Sequence, residues 1–171
     1  MVSAPISYSN FHLISRLDKT SSNEYLASLY RCSNIYVAPY QAEGFNLPAL
    51  ESLASGTPVI VPRGGSTDDF TRSKFTRYVD SSISETRHPT NNKLVNRVLK
   101  VDENSLFAEM KFVLDDFGAG MRWLKKASKA ASKYALQRYQ WKDIVRSLLK
   151  YLAADNPCFS QILDKNGNSE F

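Results

Sequence analysis

The sequence predicts an α/β fold in which helices cover a parallel β-sheet, and three observations support this. Residues 35–39 and 57–62 are short apolar runs, typical of strands that are buried on both faces of a parallel sheet. A stretch with helical spacing of apolar residues precedes each run, separated from it by a short connection. The chain has 171 residues, 43% of them apolar and 23% charged, which suits one globular domain. Alternating strands and helices with short connections form right-handed parallel crossovers, so we predict a Rossmann-like sheet.

The first predicted elements lead up to the first apolar run. Residues 11–17 alternate weakly between apolar and polar side chains, and we predict a short strand there. A polar turn follows, after which Ser22 or Asn23 can cap a helix over residues 24–31. The apolar run at 35–39 then gives a buried strand.

The second helix has clear signals at both ends. We predict it over residues 47–55, with Pro48 in the first turn, where a missing N–H group removes no helical hydrogen bond. Gly56 follows the last turn, which is the usual position of a glycine that ends a helix. The run at 57–62 is the second buried strand, and it leads into a polar loop over residues 63–70.

The second half of the chain is richer in helices. Residues 78–82 suit a short strand, and residues 84–97 are polar and predict a surface excursion. A helix is predicted over residues 105–114, capped by Asp102 or Asn104. Two closing helices are predicted over residues 120–138 and 141–153. We predict one domain over residues 1–154, followed by a disordered tail over residues 155–171.

Several kinds of chemistry are disfavoured by what the sequence contains. Cys32 and Cys158 form no CxxC pair, which argues against a disulfide framework or a zinc site of the usual spacing. His12 and His88 are too few to build a metal site without several carboxylates. Neither a GxGxxG nor a GxxxxGK[ST] motif occurs, and the N-terminus lacks the features of a signal peptide. We therefore expect a cytoplasmic protein that uses no metal and no cofactor.

Positive charge is concentrated near the C-terminus. Residues 119–151 contain nine basic residues and one acidic residue, although the whole chain has a net charge of only +5. Four of these cations recur at helical spacing, which predicts the solvated face of a packed helix. Contact with an anionic membrane surface is the weaker alternative. Nucleic acid is not expected, because the sequence has no recognised nucleic-acid motif. The four cations are Arg122, Lys126, Lys129 and Lys133.

The most informative stretch is residues 43–51, between a buried strand and the start of a helix. Open parallel sheets bind ligands at this edge, beyond the carboxyl ends of their strands. Gly44 allows a tight turn, and the N–H groups of residues 45–47 are free to bind a phosphate at the positive end of the helix dipole. Glu51 and Glu43 would flank the same pocket. Because carboxylates accept hydrogen bonds from hydroxyl groups, this combination favours a ligand that carries both a phosphate and a sugar.

Residues 34–65 closely resemble the donor-binding segment of retaining GT-B glycosyltransferases of the family 4 type, also described as glycosyl transferases group 1. That family has a pattern like EGFGxPxxEAxAxGxPVI, with two glutamates eight positions apart. Asn46 differs from it, because the family usually has glycine there. Residues 11–152 resemble more loosely the C-terminal half of the GT-B fold. The positions that match the pattern include Glu43, Gly44, Phe45, Pro48, Glu51, Ala54, Gly56 and Pro58.

The resemblance implies a retaining hexosyltransferase that uses a nucleotide-diphosphate sugar. It implies that Glu43 is the catalytic residue near the reacting carbon of the donor sugar and that Glu51 binds the ribose. Gly44, Phe45, Asn46 and Leu47 would hold the diphosphate. The acceptor is unknown, and the N-terminal domain that binds it would be missing or supplied by a partner chain, so we expect the isolated chain to be inactive. The alternative is a non-catalytic module that binds a sugar nucleotide or acts as a scaffold.

Overall fold

The computed structural model describes residues 22–155. The strand predicted at 11–17 lies outside the described residues, as does the predicted tail apart from Asp155. A short 3₁₀ helix at Ser66–Asp69 lies between the second and third strands. The remaining elements, in chain order, are α1 (Asn23–Cys32), β1 (Tyr36–Val37), α2 (Leu47–Ala54), β2 (Val59–Pro62), β3 (Thr76–Val79), β4 (Ser81–Arg87), β5 (Leu94–Val101), α3 (Glu103–Gly118), α4 (Arg122–Arg138) and α5 (Trp141–Asp155).

The first three strands form a parallel sheet in the order β1-β2-β3. Every residue of β2 is buried, as the apolar run predicts. Val59 and Val61 contribute to a cluster with residues of α2 and α4, whereas Ile60 packs with residues of α3 and α4 on the other face. Helices therefore cover both faces of the sheet, and the predicted α/β fold is confirmed.

Residues 81–101 differ from the prediction. A single strand over 78–82 is wrong, because β3 ends at Val79 and a separate strand starts at Ser81. The predicted surface excursion at 84–97 is exposed, but it lies within an antiparallel hairpin of β4 and β5 whose register shifts between Thr86 and Arg87. The backbone ladder orders the hairpin, and Glu85 forms salt bridges with Arg87 and Arg97. Since most of its side chains face water, no alternation of apolar and polar residues marks it in the sequence.

The helix ends follow local hydrogen bonds. Ser22 caps α1 by accepting the N–H of Tyr25 at 3.2 Å, so Ser22 rather than Asn23 is the cap. Asp102 caps α3 in the same way, and α3 continues to Gly118, four residues beyond the predicted end. The predicted start of the next helix at residue 120 is also early, because Gly120 and Met121 adopt left-handed backbone conformations before α4 begins. None of the helices in the described part of the chain is long and apolar enough to cross a membrane.

Candidate functional site

The candidate site lies on the loop that joins β1 to α2. This loop follows the carboxyl end of β1, and the loop containing Gly64 and Gly65 follows the carboxyl end of the neighbouring strand β2. Glu43 of the first loop and the two glycines of the second loop border one cavity of about 230 Å³. The predicted segment 43–51 is therefore at the edge where parallel sheets bind ligands.

Asn46 fixes the turn into α2. Its backbone is left-handed, with φ 67° and ψ 63°, and its side-chain oxygen accepts the N–H of Ala49 at 3.2 Å. Asparagine is one of the few residues other than glycine that adopt this conformation readily. Asn46 therefore supplies a left-handed backbone, which glycine also adopts without strain, and it caps the helix in addition.

The N–H groups predicted to bind phosphate are free of internal partners. Among the described residues, no acceptor receives a hydrogen bond from the backbone N–H of Phe45, Asn46 or Leu47. The Phe45 ring packs on the buried ring of Phe70, with 4.9 Å between centroids, and this contact supports the loop from below. The start of α2 thus presents three donors together with the positive end of the helix dipole.

Glu51 lies on the side of α2 that faces α1. Its Oε2 is 3.5 Å from the hydroxyl of Tyr30, and both residues line a cavity of about 330 Å³ between the two helices. Burial, and next the charge of Glu51, raise the pKa of Tyr30 to about 12. The backbone carbonyl of Tyr30 accepts a hydrogen bond from the Thr57 hydroxyl, which ties α1 to the connection between α2 and β2. The Glu51 side chain is exposed, and the hydroxyl of Tyr30 beside it can orient its carboxylate.

Glu43 lies on the other side of the turn, beside the hairpin. It lines the 230 Å³ cavity with Gly65 of the neighbouring loop and with Arg97 and Leu99 of β5. The two glutamates therefore line separate cavities, not the single pocket that the sequence suggests. Tyr36 of β1 is close to both: burial raises its pKa most, and the charges of Glu43 and Glu51 raise it further.

The sequence does not identify several residues that border the site. Tyr36 is on the strand that leads into the site loop, whereas Tyr30 of α1 and Arg97 of β5 belong to other elements, and folding brings them beside segment 43–51. No short motif marks them, although the apolar run at 35–39 contains Tyr36. Across residues 22–155, no group of three or more His, Cys, Asp or Glu side chains is arranged to hold a metal ion.

Three comparisons show what this chain resembles. It is 34% identical over 76 residues to "Uncharacterized glycosyltransferase 335" of Sulfolobus islandicus rod-shaped virus 1, which covers 44% of this chain and 22% of that protein. It is 46% identical over 44 residues to "MMP alpha-(1->4)-mannosyltransferase" of Mycolicibacterium hassiacum, covering 26% of this chain and 11% of that protein. Its fold matches sucrose-phosphate synthase from Thermosynechococcus elongatus with a TM-score of 0.56 and 25% identity, over 78% of this chain and 29% of that one.

The family model of glycosyl transferases group 1 matches residues 16–103, which is just over half of the chain and includes the whole of segment 43–51. The chain spans less than a third of the length of each of these two relatives and of the solved structure. Its α/β architecture is that of a GT-B Rossmann-like fragment. This chain therefore belongs to the glycosyl transferases group 1 family.

Proposed function

We propose that the chain is the donor-binding part of a retaining glycosyltransferase that takes its sugar from a nucleotide-diphosphate sugar. One observation carries the proposal: the residues with free backbone donors, 45–47, stand in the chain between Glu43 and Glu51. Phe45 and Leu47 border a cavity of about 720 Å³ together with Glu51, whereas Glu43 lines a different cavity on the other side of the turn. This order matches the covalent order of the ligand, in which a diphosphate joins a ribose to a sugar. Each part of the ligand would therefore meet groups of suitable chemistry.

The roles of the residues follow from their chemistry. The N–H groups of residues 45–47 bind the diphosphate and stabilise the charge that it gains as it leaves the sugar. Glu51 accepts hydrogen bonds from the ribose hydroxyls, and Glu43 contacts the sugar near the carbon that reacts. Gly44 keeps the turn open, since a side chain at this position would lie beside the phosphates. Catalysis then depends on positioning and on stabilising the leaving group, and neither requires a metal in this arrangement.

The acceptor is bound by another part of the enzyme in this proposal. The chain covers under a third of each compared protein. An N-terminal domain or a partner chain would supply the acceptor site, and the isolated chain would transfer sugar slowly or not at all. The cytoplasmic location expected from the sequence stays a prediction.

Substitution of the two glutamates tests the proposed roles. Glu51→Ala removes the ribose acceptor, so the affinity for a free nucleoside diphosphate should fall roughly tenfold, as expected for a lost hydrogen bond to a charged group. Glu43→Ala should leave that affinity unchanged and reduce only the binding of the intact sugar nucleotide. Titration calorimetry with UDP, GDP and ADP and with UDP-glucose, GDP-mannose and ADP-glucose measures both effects. Glu103→Ala, at an exposed acid in the first turn of α3, is the control.

Two results would contradict the proposal. Equal losses of diphosphate affinity in Glu43→Ala and Glu51→Ala would mean that the roles of the two carboxylates are assigned wrongly. A wild-type chain that binds none of the six nucleotides would contradict the donor site itself.

A further inference from the structure

The β4–β5 hairpin is attached directly to the loop that carries Glu43. The backbone N–H of Leu99 in β5 donates to the carbonyl of Gln41 at 2.7 Å. Gly65 packs against the same place: a Cβ atom there would overlap the Tyr40 hydroxyl and lie 2.9 Å from Cδ1 of Leu99. Three segments of the chain therefore meet at this point, and the hairpin is held in place where it borders the Glu43 cavity.

The hairpin brings a cation to that cavity. Glu85 forms salt bridges with Arg87, at 2.9 Å, and with Arg97, at 2.5 Å. Hydrogen bonds from the two guanidinium groups keep the pKa of Glu85 below its ordinary value, so the carboxylate is ionised and holds both side chains. Arg97 lines the cavity together with Glu43, whereas Arg87 does not. The two arginines thus share one carboxylate but differ in their access to the site.

We propose that Arg97 is a specificity-determining residue that binds hydroxyl groups of the donor sugar opposite Glu43, an inference that rests on the proposed function. A hydroxyl group can donate to a carboxylate and accept from a guanidinium at the same time, so a neutral sugar satisfies Glu43 and Arg97 together. An anionic group in this cavity would be repelled by Glu43 at close range. Arg97 is chosen over the other hairpin residues because it carries donors into the cavity: Nε and Nη2 donate to Glu85, while Nη1 has no partner among the described residues and can donate to a hydroxyl group.

The test compares Arg97→Ala with Arg87→Ala, which removes the other cation from the same carboxylate. For each chain, the affinity for UDP, GDP or ADP and for the corresponding sugar nucleotide is measured by ligand-detected NMR. The ratio of the two affinities isolates the contribution of the sugar. Arg97→Ala should reduce this ratio three- to tenfold and leave the affinity for the free diphosphate unchanged. Arg87→Ala should change neither, and thermal unfolding shows that both variants remain folded.

The outcomes separate this inference from the proposed function. If the wild-type chain binds nucleotides but the two arginine variants have the same ratio, Arg97 does not contact the sugar and the inference fails alone. If Arg97→Ala weakens free diphosphate and sugar nucleotide equally, Arg97 acts on the phosphates and the inference is overturned as well. If the wild-type chain binds no nucleotide, the proposed function fails and the inference fails with it.

Discussion

Asn46 combines a helix cap with a left-handed backbone, and one substitution can keep both while changing the charge. Asn46→Asp retains a side-chain oxygen that can accept the N–H of Ala49, and aspartate tolerates φ 67° nearly as well as asparagine. Asparagine and aspartate are equally good N-caps, so we expect the free energy of unfolding to change by less than about 1 kcal/mol. The added charge lies at the positive end of the helix dipole, which offsets the cost of its burial.

Binding should respond very differently to the same change. The new carboxylate would lie beside the N–H groups of Phe45 and Leu47, where the diphosphate is proposed to bind. Two unit charges about 5 Å apart repel each other by about 3 kcal/mol at an effective dielectric constant of 20, and exposure to water reduces this value. We therefore expect the affinity for a free nucleoside diphosphate to fall at least tenfold. Urea denaturation and titration calorimetry measure the two effects on the same protein.

Two further substitutions of Asn46 serve as controls. Asn46→Gly keeps the left-handed backbone and costs only a few tenths of a kcal/mol as a cap, so stability and diphosphate binding should stay near those of the wild type. Asn46→Ala loses the cap and strains the backbone, which together should lower the stability by roughly 2–3 kcal/mol. If Asn46→Asp is stable and still binds diphosphate as tightly as the wild type, the phosphate does not bind at the start of α2.

The other predictions concern stability. Leu53 is fully buried beneath the site, so Leu53→Ala should lower the free energy of unfolding by about 2–5 kcal/mol in urea denaturation; a loss below 1 kcal/mol would show that α2 is not part of the cooperative core. Burial raises the pKa of Tyr30 to about 12 in the folded chain, against about 10 in the unfolded chain. The stability that the protonated Tyr30 hydroxyl contributes is therefore complete below pH 10 and is lost as the pH rises through 12. Tyr30→Phe should therefore lose less stability than the wild type between pH 9 and pH 11, and equal losses would mean that another group titrates.

Much of the fold follows from single residues that act locally. Ser22 caps α1, Pro48 stands in the first turn of α2 and Gly56 follows its end with φ 88°, so the sequence predicts these helix ends to within two residues. The strand β2 is predicted because all its residues are apolar and buried. In each case the signal lies within a few positions of the structure that it specifies.

The hairpin is different because its interactions are not local. Arg97 lies 12 positions from its partner Glu85, and Leu99 hydrogen-bonds Gln41 across 58 positions of the chain. Neither strand has a buried face, so no periodic pattern distinguishes the hairpin from a polar loop. The sequence consequently fails to predict the element that borders the Glu43 cavity.

The same distinction explains which parts of the candidate site are predictable. The phosphate donors and the two glutamates lie within nine consecutive residues, and the backbone geometry of a loop entering a helix determines what those donors can bind. The walls of the cavities come from α1, from the loop after β2 and from β4 and β5, which meet the loop only after folding. The proposed contacts to a diphosphate therefore come from a motif, whereas the proposed sugar selectivity would depend on residues such as Arg97 that no motif contains. This predicts that relatives sharing segment 43–51 can differ in donor sugar through changes in their hairpins. Exchange of residues 81–101 between two such proteins tests the prediction. The exchange should transfer the sugar preference without altering the affinity for the nucleoside diphosphate.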